Sequence, residues 1–386
     1  FLRDECMANV SQYPNLFKSG ALSGLNLTNR LILAPMTRTS AEADGRPTER
    51  MRDYYRDFAR GGFSLLISEG IYTDERFSQG YDYQPGLANL AQQEAWQPIV
   101  ESVQTEGAKF VAQLMHGGAQ TQGNRFVEDT AAPSAVAPKG EMLGFYGGEG
   151  PYPTPRPMSE ADIQEAIAGF AAAAQRAQAA GFDGVELHGA NGYLIDQFIS
   201  EYFNHRDDAW GGSLERRLAF PVAVIRAVRK AVGSDFLVGM RLSQIKVTDS
   251  NYRWAGREEA AIIMTTLEAE GLDYLHFSEL DALTPAFEGT DKSLAALASE
   301  LIDIPVIANG ELGAPQAAEA IIAQGRADFV AIGKAALANH DWPHRVRNNR
   351  SLTALDFAML MPRANLSNED AWREQHNVSA TLDVGR

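Results

Sequence analysis

Residues 305–334 read PVIANGELGAPQAAEAIIAQGRADFVAIGK, which is a short apolar run, a candidate helix and a second short apolar run. The two runs, 305–311 and 329–334, are continuous rather than alternating, as is typical of strands covered on both faces in a parallel sheet. The helix candidate is 314–324, and Gly325 follows where a left-handed helix end is expected. The stretch therefore predicts one β–α–β unit.

The same alternation extends toward the N-terminus. Further apolar runs occupy 30–35, 64–70, 109–116, 184–190, 237–243 and 274–280. Further helix candidates occupy 48–60, 92–106, 159–180, 213–232, 257–270, 291–301 and 342–349. Eight strand–helix pairs predict a (β/α)8 TIM barrel, an α/β fold in a single domain. A doubly wound open sheet is the rival, but its nucleotide-binding form needs a G-x-G-x-x-G fingerprint, which the chain lacks.

The segments around the barrel have their own predictions. Residues 15–350 are assigned to the barrel, 1–14 to an N-terminal tail and 351–386 to a C-terminal extension. Met7 is a candidate natural start, which would make residues 1–6 an addition. Residues 21–29 predict a small hairpin on the barrel floor. The Gly- and Pro-rich segment 117–157 predicts a long functional loop after the third strand, with Phe145, Tyr146 and Tyr152 walling the pocket.

Charge and cysteine content exclude several classes of function. Lys and Arg number 34 against 50 Asp and Glu, a net charge of −16, which disfavours nucleic-acid and membrane-surface binding. Cys6 is the only cysteine, which excludes a disulfide framework, a cysteine-based zinc site and a thiolate-bound iron–sulfur cluster. No run approaches the roughly 18 apolar residues of a membrane span, and the first ten residues lack the apolar core of a signal peptide. We expect a cytoplasmic protein.

The predicted strand ends carry hydrogen-bonding groups rather than a metal or nucleophile motif. Neither H-E-x-x-H nor G-x-S-x-G occurs, and no metal site is expected. The ends instead supply a Thr, a Gln, an Arg, a His–Asn pair and a Tyr, which suit a flat heteroaromatic ring with polar edges. Glycines after the last two strands, with Lys334, suit a phosphate. A planar heteroaromatic group with one phosphate describes FMN.

Three longer stretches match one family in order. Residues 34–38 read APMTR, residues 188–198 read HGANGYLIDQF, and residues 204–215 follow the pattern N-x-R-x-D-x-W-G-G-S-x-E. Together they resemble the Old Yellow Enzyme family of flavin-dependent ene-reductases, over about residues 15–349. The resemblance implies tightly bound, non-covalent FMN, NAD(P)H as an exchanging co-substrate, and reduction of small activated alkenes by an enzyme of the NADPH-dehydrogenase type, a monomer or homodimer.

The resemblance also assigns roles to individual residues. Those implied to contact the flavin ring are Pro35, Met36, Thr37, Gly70, Gln113 at the pyrimidine edge, and Arg241 at N1 and O2. Those implied to hold the phosphate are Gly310, Gly333 and Lys334. His188 and Asn191 are implied to grip the substrate's activating oxygen, and Tyr193 to supply the proton. Two donors aimed at that oxygen would stabilise the negative charge that develops there. A helical conformation would put His188 and Asn191 on one face.

Two departures and two alternatives accompany this interpretation. Lys334 stands where the family usually has Arg, and Met115 where some relatives have Trp, which affects phosphate binding and substrate preference. One alternative is a non-redox phosphate-binding barrel, an isomerase or aldolase, which would need a Schiff-base lysine or a carboxylate pair at the strand ends. Lys246 lies beyond the fifth strand without an evident partner. The other alternative is a flavin-binding protein without activity.

Overall fold

The computed structural model describes residues 11–376 and 378. Eight parallel strands form a closed barrel, and helices and loops surround it. The barrel strands are Leu31–Leu33, Leu65–Ile67, Lys109–Met115, Gly184–Asn191, Leu237–Lys246, Tyr274–Ser278, Val306–Asn309 and Phe329–Ile332. The eighth strand pairs with the first, with Val330 opposite Leu31, which closes the sheet. The predicted (β/α)8 TIM barrel is confirmed.

Helices follow the strands as predicted, with small shifts at their ends. The helices are Glu49–Arg60, Leu90–Thr105, Glu160–Ala179, Leu194–Ile199, Leu214–Arg217, Ala219–Val232, Arg257–Glu268, Leu294–Leu301, Pro315–Ala323, Lys334–Ala338, Trp342–Arg347 and Leu366–Gln375. The segment predicted as one helix over 213–232 is two. The candidate at 291–301 begins at Leu294 because Ser293 caps it, its hydroxyl accepting the Ala296 N–H.

The predicted hairpin closes the bottom of the barrel. Strands Gly20–Leu22 and Leu25–Leu27 pair antiparallel, and Leu22 and Leu27 are buried against the interior side chains of the barrel strands. The polar mouth therefore lies at the other end, where the strands' carboxyl ends meet.

The long excursion after the third strand carries little regular structure. It contains the 3-10 turns Gly118–Gln120 and Gly144–Tyr146, and the short strands Ala131–Ala132 and Arg156–Pro157 pair parallel. A further short strand, Ile71–Tyr72, pairs with the third barrel strand. Within the described residues, no helix is both long enough and apolar enough to cross a membrane. Residues 1–10, including the candidate start at Met7, lie outside the described part of the chain.

Candidate active site

A cavity of about 1000 Å³ opens at the carboxyl ends of the strands. Every residue predicted for the site lines it: Pro35, Met36, Thr37, Gly70, Gln113, His188, Asn191, Tyr193, Arg241, Gly310, Gly333 and Lys334. The structure therefore brings together residues that are almost 300 positions apart in the chain. Their individual roles stay predictions.

A buried carboxylate fixes the orientation of Gln113. Glu186, inside the barrel, accepts hydrogen bonds from Gln113 Nε2 at 2.9 Å and from the Tyr274 hydroxyl at 3.1 Å. Its other contact is His276 Nδ1 at 2.9 Å. Burial raises the pKa of Glu186, but His276 and Arg241 outweigh burial and hold that pKa below its usual value. Because a carboxylate only accepts, the Gln113 amide must turn its N–H toward Glu186 and leave its carbonyl for the cavity.

One nitrogen of the Arg241 guanidinium group has a hydrogen-bond partner among the described residues, and another has none. Its Nη2 donates to Asn309 Oδ1 at 2.6 Å, and Asn309 Nδ2 in turn donates to the Ala331 carbonyl at 2.9 Å. Its Nε is buried and has no hydrogen-bond partner among the described residues. A buried unpaired N–H is costly, so this geometry calls for an acceptor in the cavity. Sequence reasoning gave Asn309 no role, although it directly precedes Gly310 at a strand end.

His188 is a neutral donor at the cavity wall. Burial and the charge of Arg241 lower the pKa of His188 to about 3. Its Nδ1 accepts the backbone N–H of Ala190 at 3.4 Å, so the proton of the neutral ring is on Nε2. This nitrogen makes no hydrogen bond within residues 11–376.

Asn191 reaches the same wall by a route that the helical interpretation missed. His188 and Asn191 lie at the end of strand Gly184–Asn191, not in a helix, so residues three apart would normally point to opposite faces. Asn191 instead adopts a left-handed backbone with φ +61°, which turns the chain at that point. Its side-chain amide has no hydrogen-bond partner in the described chain.

Tyr193 is anchored by a tyrosine that sequence reasoning did not single out. The hydroxyls of Tyr193 and Tyr81 hydrogen-bond to each other. Burial raises the pKa of Tyr193 well above its ordinary value, so the phenol keeps its proton at neutral pH. Tyr81, Tyr193 and Met115 form a small buried cluster against which Tyr146 packs. No sequence pattern marked Tyr81, which lies in an irregular segment.

The end of the cavity predicted to bind phosphate combines two glycines with an ion pair. Gly310 has φ +144°, and a Cβ there would lie 2.5 Å from the Glu279 carbonyl oxygen, so the backbone conformation requires glycine. Gly333 precedes the short helix Lys334–Ala338. Lys334 Nζ contacts Glu311 Oε1 at 2.6 Å, with the side chains 66% and 57% exposed. Such an exposed pair is weak, so Lys334 remains available to another anion.

The C-terminal segment forms a wall of the cavity that the sequence did not predict. The apolar residues it contributes are Leu352, Leu355, Phe357, Leu360 and Ala364. The following helix is tied to the barrel by Arg38, whose Nη2 contacts Glu369 Oε2 at 2.7 Å with the two side chains 1% and 0% exposed. Of the three aromatic residues predicted as a pocket wall, Phe145 and Tyr146 line the cavity. Tyr152 does not, because its hydroxyl turns to Gln122 Oε1 at 3.2 Å.

A protein-family comparison identifies the chain. The model of the NADH:flavin oxidoreductase / NADH oxidase family matches residues 15–353. The chain belongs to this family. The resemblance to Old Yellow Enzymes is confirmed by the same match and by the solved relatives below.

Similar proteins extend over most of this flavin oxidoreductase domain. An NADH oxidase from Thermoanaerobacter brockii is 36% identical over 349 residues, which are 88% of this chain and 52% of the relative. The chain thus spans about half the length of that curated relative. A solved morphinone reductase in complex with tetrahydroNAD is 32% identical, with a TM-score of 0.78, and the match covers 89% of this chain and 93% of that one. An old yellow enzyme homologue from Zymomonas mobilis is 30% identical, with a TM-score of 0.81, and covers 92% and 98%.

Family membership implies non-covalently bound FMN, and the cavity residues fit this group. The unpaired Arg241 Nε suits an electron-rich edge, and the Gln113 carbonyl suits an N–H. At Gly70, a Cβ would lie 2.5 Å from Met115 Sδ, so glycine keeps that part of the lining close-packed. Gly310, Gly333 and Lys334 would hold the phosphate through backbone N–H groups and a cation.

Proposed function

We propose that this chain is an FMN-dependent oxidoreductase that uses NAD(P)H to reduce C=C bonds conjugated to carbonyl, nitro or imide groups. The observation that carries the proposal is that His188, Asn191 and Tyr193 face the same cavity as the residues that fit the flavin. The morphinone reductase crystallised with tetrahydroNAD supports a nicotinamide as the exchanging co-substrate. The acidic composition and single cysteine support our expectation of a cytoplasmic enzyme acting on small molecules.

The residues divide the chemistry between them. Arg241 and Gln113 would hold the ring of FMN, which when bound would supply hydride chemistry between the nicotinamide and the β-carbon of the alkene. The His188 Nε2–H and the Asn191 amide donate hydrogen bonds to the substrate oxygen, where negative charge develops as hydride arrives. The Tyr193 hydroxyl gives its proton to the α-carbon. Within residues 11–376, neither the His188 Nε2–H nor the Asn191 amide has a hydrogen-bond partner that it would lose when substrate binds.

The charge of the donors favours an uncharged activating group. Since the pKa of His188 is about 3 and Asn191 is an amide, both donors are neutral at physiological pH. The names of similar proteins cover both kinds of activating group. An NADH:fumarate oxidoreductase and an NADH:acrylate oxidoreductase are named for unsaturated acids, and a chanoclavine-I aldehyde reductase is named for an aldehyde. Burying a carboxylate against neutral donors is costly. We therefore expect enones and enals to be better substrates than unsaturated acids.

Lys246, the candidate reactive lysine of the non-redox alternative, already has a charged partner. Lys246 Nζ lies 2.6 Å from Asp196 Oδ1 in a buried ion pair, so it is not free to form a Schiff base. Family membership also favours redox chemistry.

Spectroscopy and turnover test the proposal. Purified protein should be yellow, should release FMN on denaturation, and should be bleached by NADH or NADPH without oxygen. Addition of 2-cyclohexenone should then restore the yellow colour, while acrylate should do so more slowly. Colourless protein that cannot be reconstituted with FMN would favour the non-redox barrel. Reduced protein that no activated alkene reoxidises would leave only a flavin-binding protein.

A further inference from the structure

Two buried, oppositely charged side chains lie directly behind the turn that carries Asn191 and Tyr193. Lys246 Nζ contacts both carboxylate oxygens of Asp196, at 2.6 and 2.7 Å. Each side chain is 1% exposed. Lys246 ends the fifth barrel strand, and Asp196 lies in the first turn of the helix Leu194–Ile199. The ion pair thus joins the fifth strand to the helix that follows Tyr193.

Both partners also contact the turn itself. Asp196 Oδ2 accepts the backbone N–H of Gly192 at 2.7 Å. Lys246 is paired with Asn191 between the fifth and fourth strands, and the next residue, Val247, donates its N–H to the Asn191 carbonyl at 2.9 Å. The ammonium group is covered by the ring of Tyr252, whose centroid is 4.4 Å away. Asp196 therefore holds the turn at Gly192, and the strand end that carries Lys246 holds it at Asn191.

The turn needs such support because one of its non-glycine residues is left-handed. Asn191 has φ +61°, whereas Gly192 adopts φ +86° without a steric cost. A left-handed conformation at a non-glycine residue is maintained only when the surroundings over-determine it. Burying two charges is expensive, and an apolar pair of similar volume would often stabilise the fold as well or better. The charged pair therefore has a use that stability alone does not explain.

We propose that Lys246 and Asp196 are positioning residues that hold the Asn191–Tyr193 turn so that the Asn191 amide and the Tyr193 hydroxyl face the substrate together. Neither Lys246 nor Asp196 lines the cavity. Their effect passes through Gly192 N–H on one side and the Asn191 backbone on the other. This inference rests on the proposed function, since it concerns the same substrate wall.

The decisive variant removes the ion pair, and with it the acceptor of the Gly192 N–H, while leaving no buried charge. Lys246→Met combined with Asp196→Leu has this effect, because neither new side chain is charged and Leu offers no oxygen to Gly192. We expect the double variant to bind FMN and to unfold at nearly the wild-type temperature. Alkene reduction should nevertheless fall by on the order of 10–100-fold, because ångström-scale misplacement of catalytic groups is that costly. Binding of 2-cyclohexenone, followed through the absorbance of bound FMN, should weaken in parallel.

A matched control separates positioning from stability. Arg229 and Asp273 form a partly buried ion pair, at 2.7 Å, beside Val238 at the start of the fifth strand and away from the turn. Asp273→Asn should lower the unfolding temperature and leave kcat/KM for the alkene unchanged. Wild-type turnover in the double variant would overturn the inference, as would equal losses in the double variant and the control.

A crystal structure of the double variant tests the inference without any substrate. Asn191 should leave its positive φ, or the Tyr193 hydroxyl should move away from Tyr81. An unchanged turn would overturn the inference. Failure of the wild type to reduce any alkene would instead contradict the proposed function and leave this structural test in force.

Discussion

The hydroxyl of Tyr81 hydrogen-bonds to the hydroxyl of Tyr193 from behind the cavity wall. Tyr81 itself does not line the cavity, and burial raises the pKa values of both phenols well above normal, so both are protonated. In a hydrogen bond between two phenols, one hydroxyl donates its proton to the other, and the accepting hydroxyl can still donate its own proton elsewhere. For Tyr193 to donate into the cavity, Tyr81 must be the donor to Tyr193. With Tyr81 as the donor, the Tyr193 proton stays free for the proposed transfer to substrate.

Tyr193→Phe should slow alkene reduction by about 10²–10⁴-fold, the usual contribution of a positioned general acid. Reduction of bound FMN by NADH or NADPH should change far less, because that step needs no proton from this side chain. Stopped-flow measurement of the two half-reactions separates them. Equal rates of alkene reduction in variant and wild type would show that Tyr193 is not the proton donor.

Tyr81→Phe should lower the rate of alkene reduction by about tenfold, which corresponds to the loss of one hydrogen bond. The remaining Tyr193 hydroxyl keeps its proton but loses the donor that orients it. Tyr202→Phe is the matched control, because its hydroxyl donates to the Ala137 carbonyl and lies outside the cavity lining. The orienting role fails if both variants reduce the alkene at the wild-type rate.

His188 should make the folded protein sensitive to mild acid. Its pKa falls from an ordinary 6.5 to about 3 on folding, so between these values the unfolded chain binds a proton that the folded chain does not. Stability attributable to this residue is therefore complete above pH 6.5 and declines as pH falls toward 3. Denaturant unfolding at pH 7 and pH 4.5 should show the wild type losing about 2–3 kcal/mol more than His188→Asn. Equal losses would contradict a buried neutral imidazole.

Glu186→Gln should weaken FMN binding by about tenfold, since a neutral amide at 186 no longer dictates which end of the Gln113 amide faces the cavity. The reduction potential of bound FMN should become more positive, because the charge of Arg241 loses its buried counter-ion. Both are measured by titrating apoprotein with FMN and by dye-coupled potentiometry. Tyr274→Phe removes a different hydrogen bond to the same carboxylate and should leave the potential nearly unchanged. An unaltered potential and affinity in Glu186→Gln would refute the assignment.

Glu369→Gln should destabilise the fold by about 3 kcal/mol, because it leaves the buried guanidinium of Arg38 without its counter-charge. The adjacent Asp370→Asn is the control, since its partner Arg50 is partly exposed and such a pair contributes less than about 1 kcal/mol. Chemical denaturation compares the two. Equal stability of the two variants would mean that Arg38 does not anchor the C-terminal helix.

Local patterns predicted the barrel and most of its mouth. The continuous apolar runs, such as 329–334, are typical of strands buried on both faces, and eight of them in alternation with helices admit few architectures. Strand ends then converge on one side, so Gln113, His188, Arg241 and Gly310 could be assigned to one cavity before any coordinates. The hairpin on the floor followed from the same local reasoning.

Other features had no local signal. Tyr81 lies in an irregular stretch, and residues 352–364 lack a period that would reveal that they wall the cavity. Lys246 and Asp196 are 50 positions apart and no local pattern pairs them, yet they form a buried ion pair. The helical interpretation of 188–191 was wrong because these residues end a strand, where a single left-handed residue, Asn191, turns the chain.

By itself, the sequence determined the order and type of the elements and the residues offered at the strand ends, because hydrophobic period and turn chemistry are properties of neighbouring residues. The tertiary structure alone decided which distant side chains meet: Tyr81 with Tyr193, Glu186 with Gln113, Lys246 with Asp196 and Arg38 with Glu369. Those contacts depend on packing between elements far apart in the chain. They set the surroundings of the Tyr193 hydroxyl, the orientation of the Gln113 amide and the support of the Asn191–Tyr193 turn, on which the proposed chemistry depends.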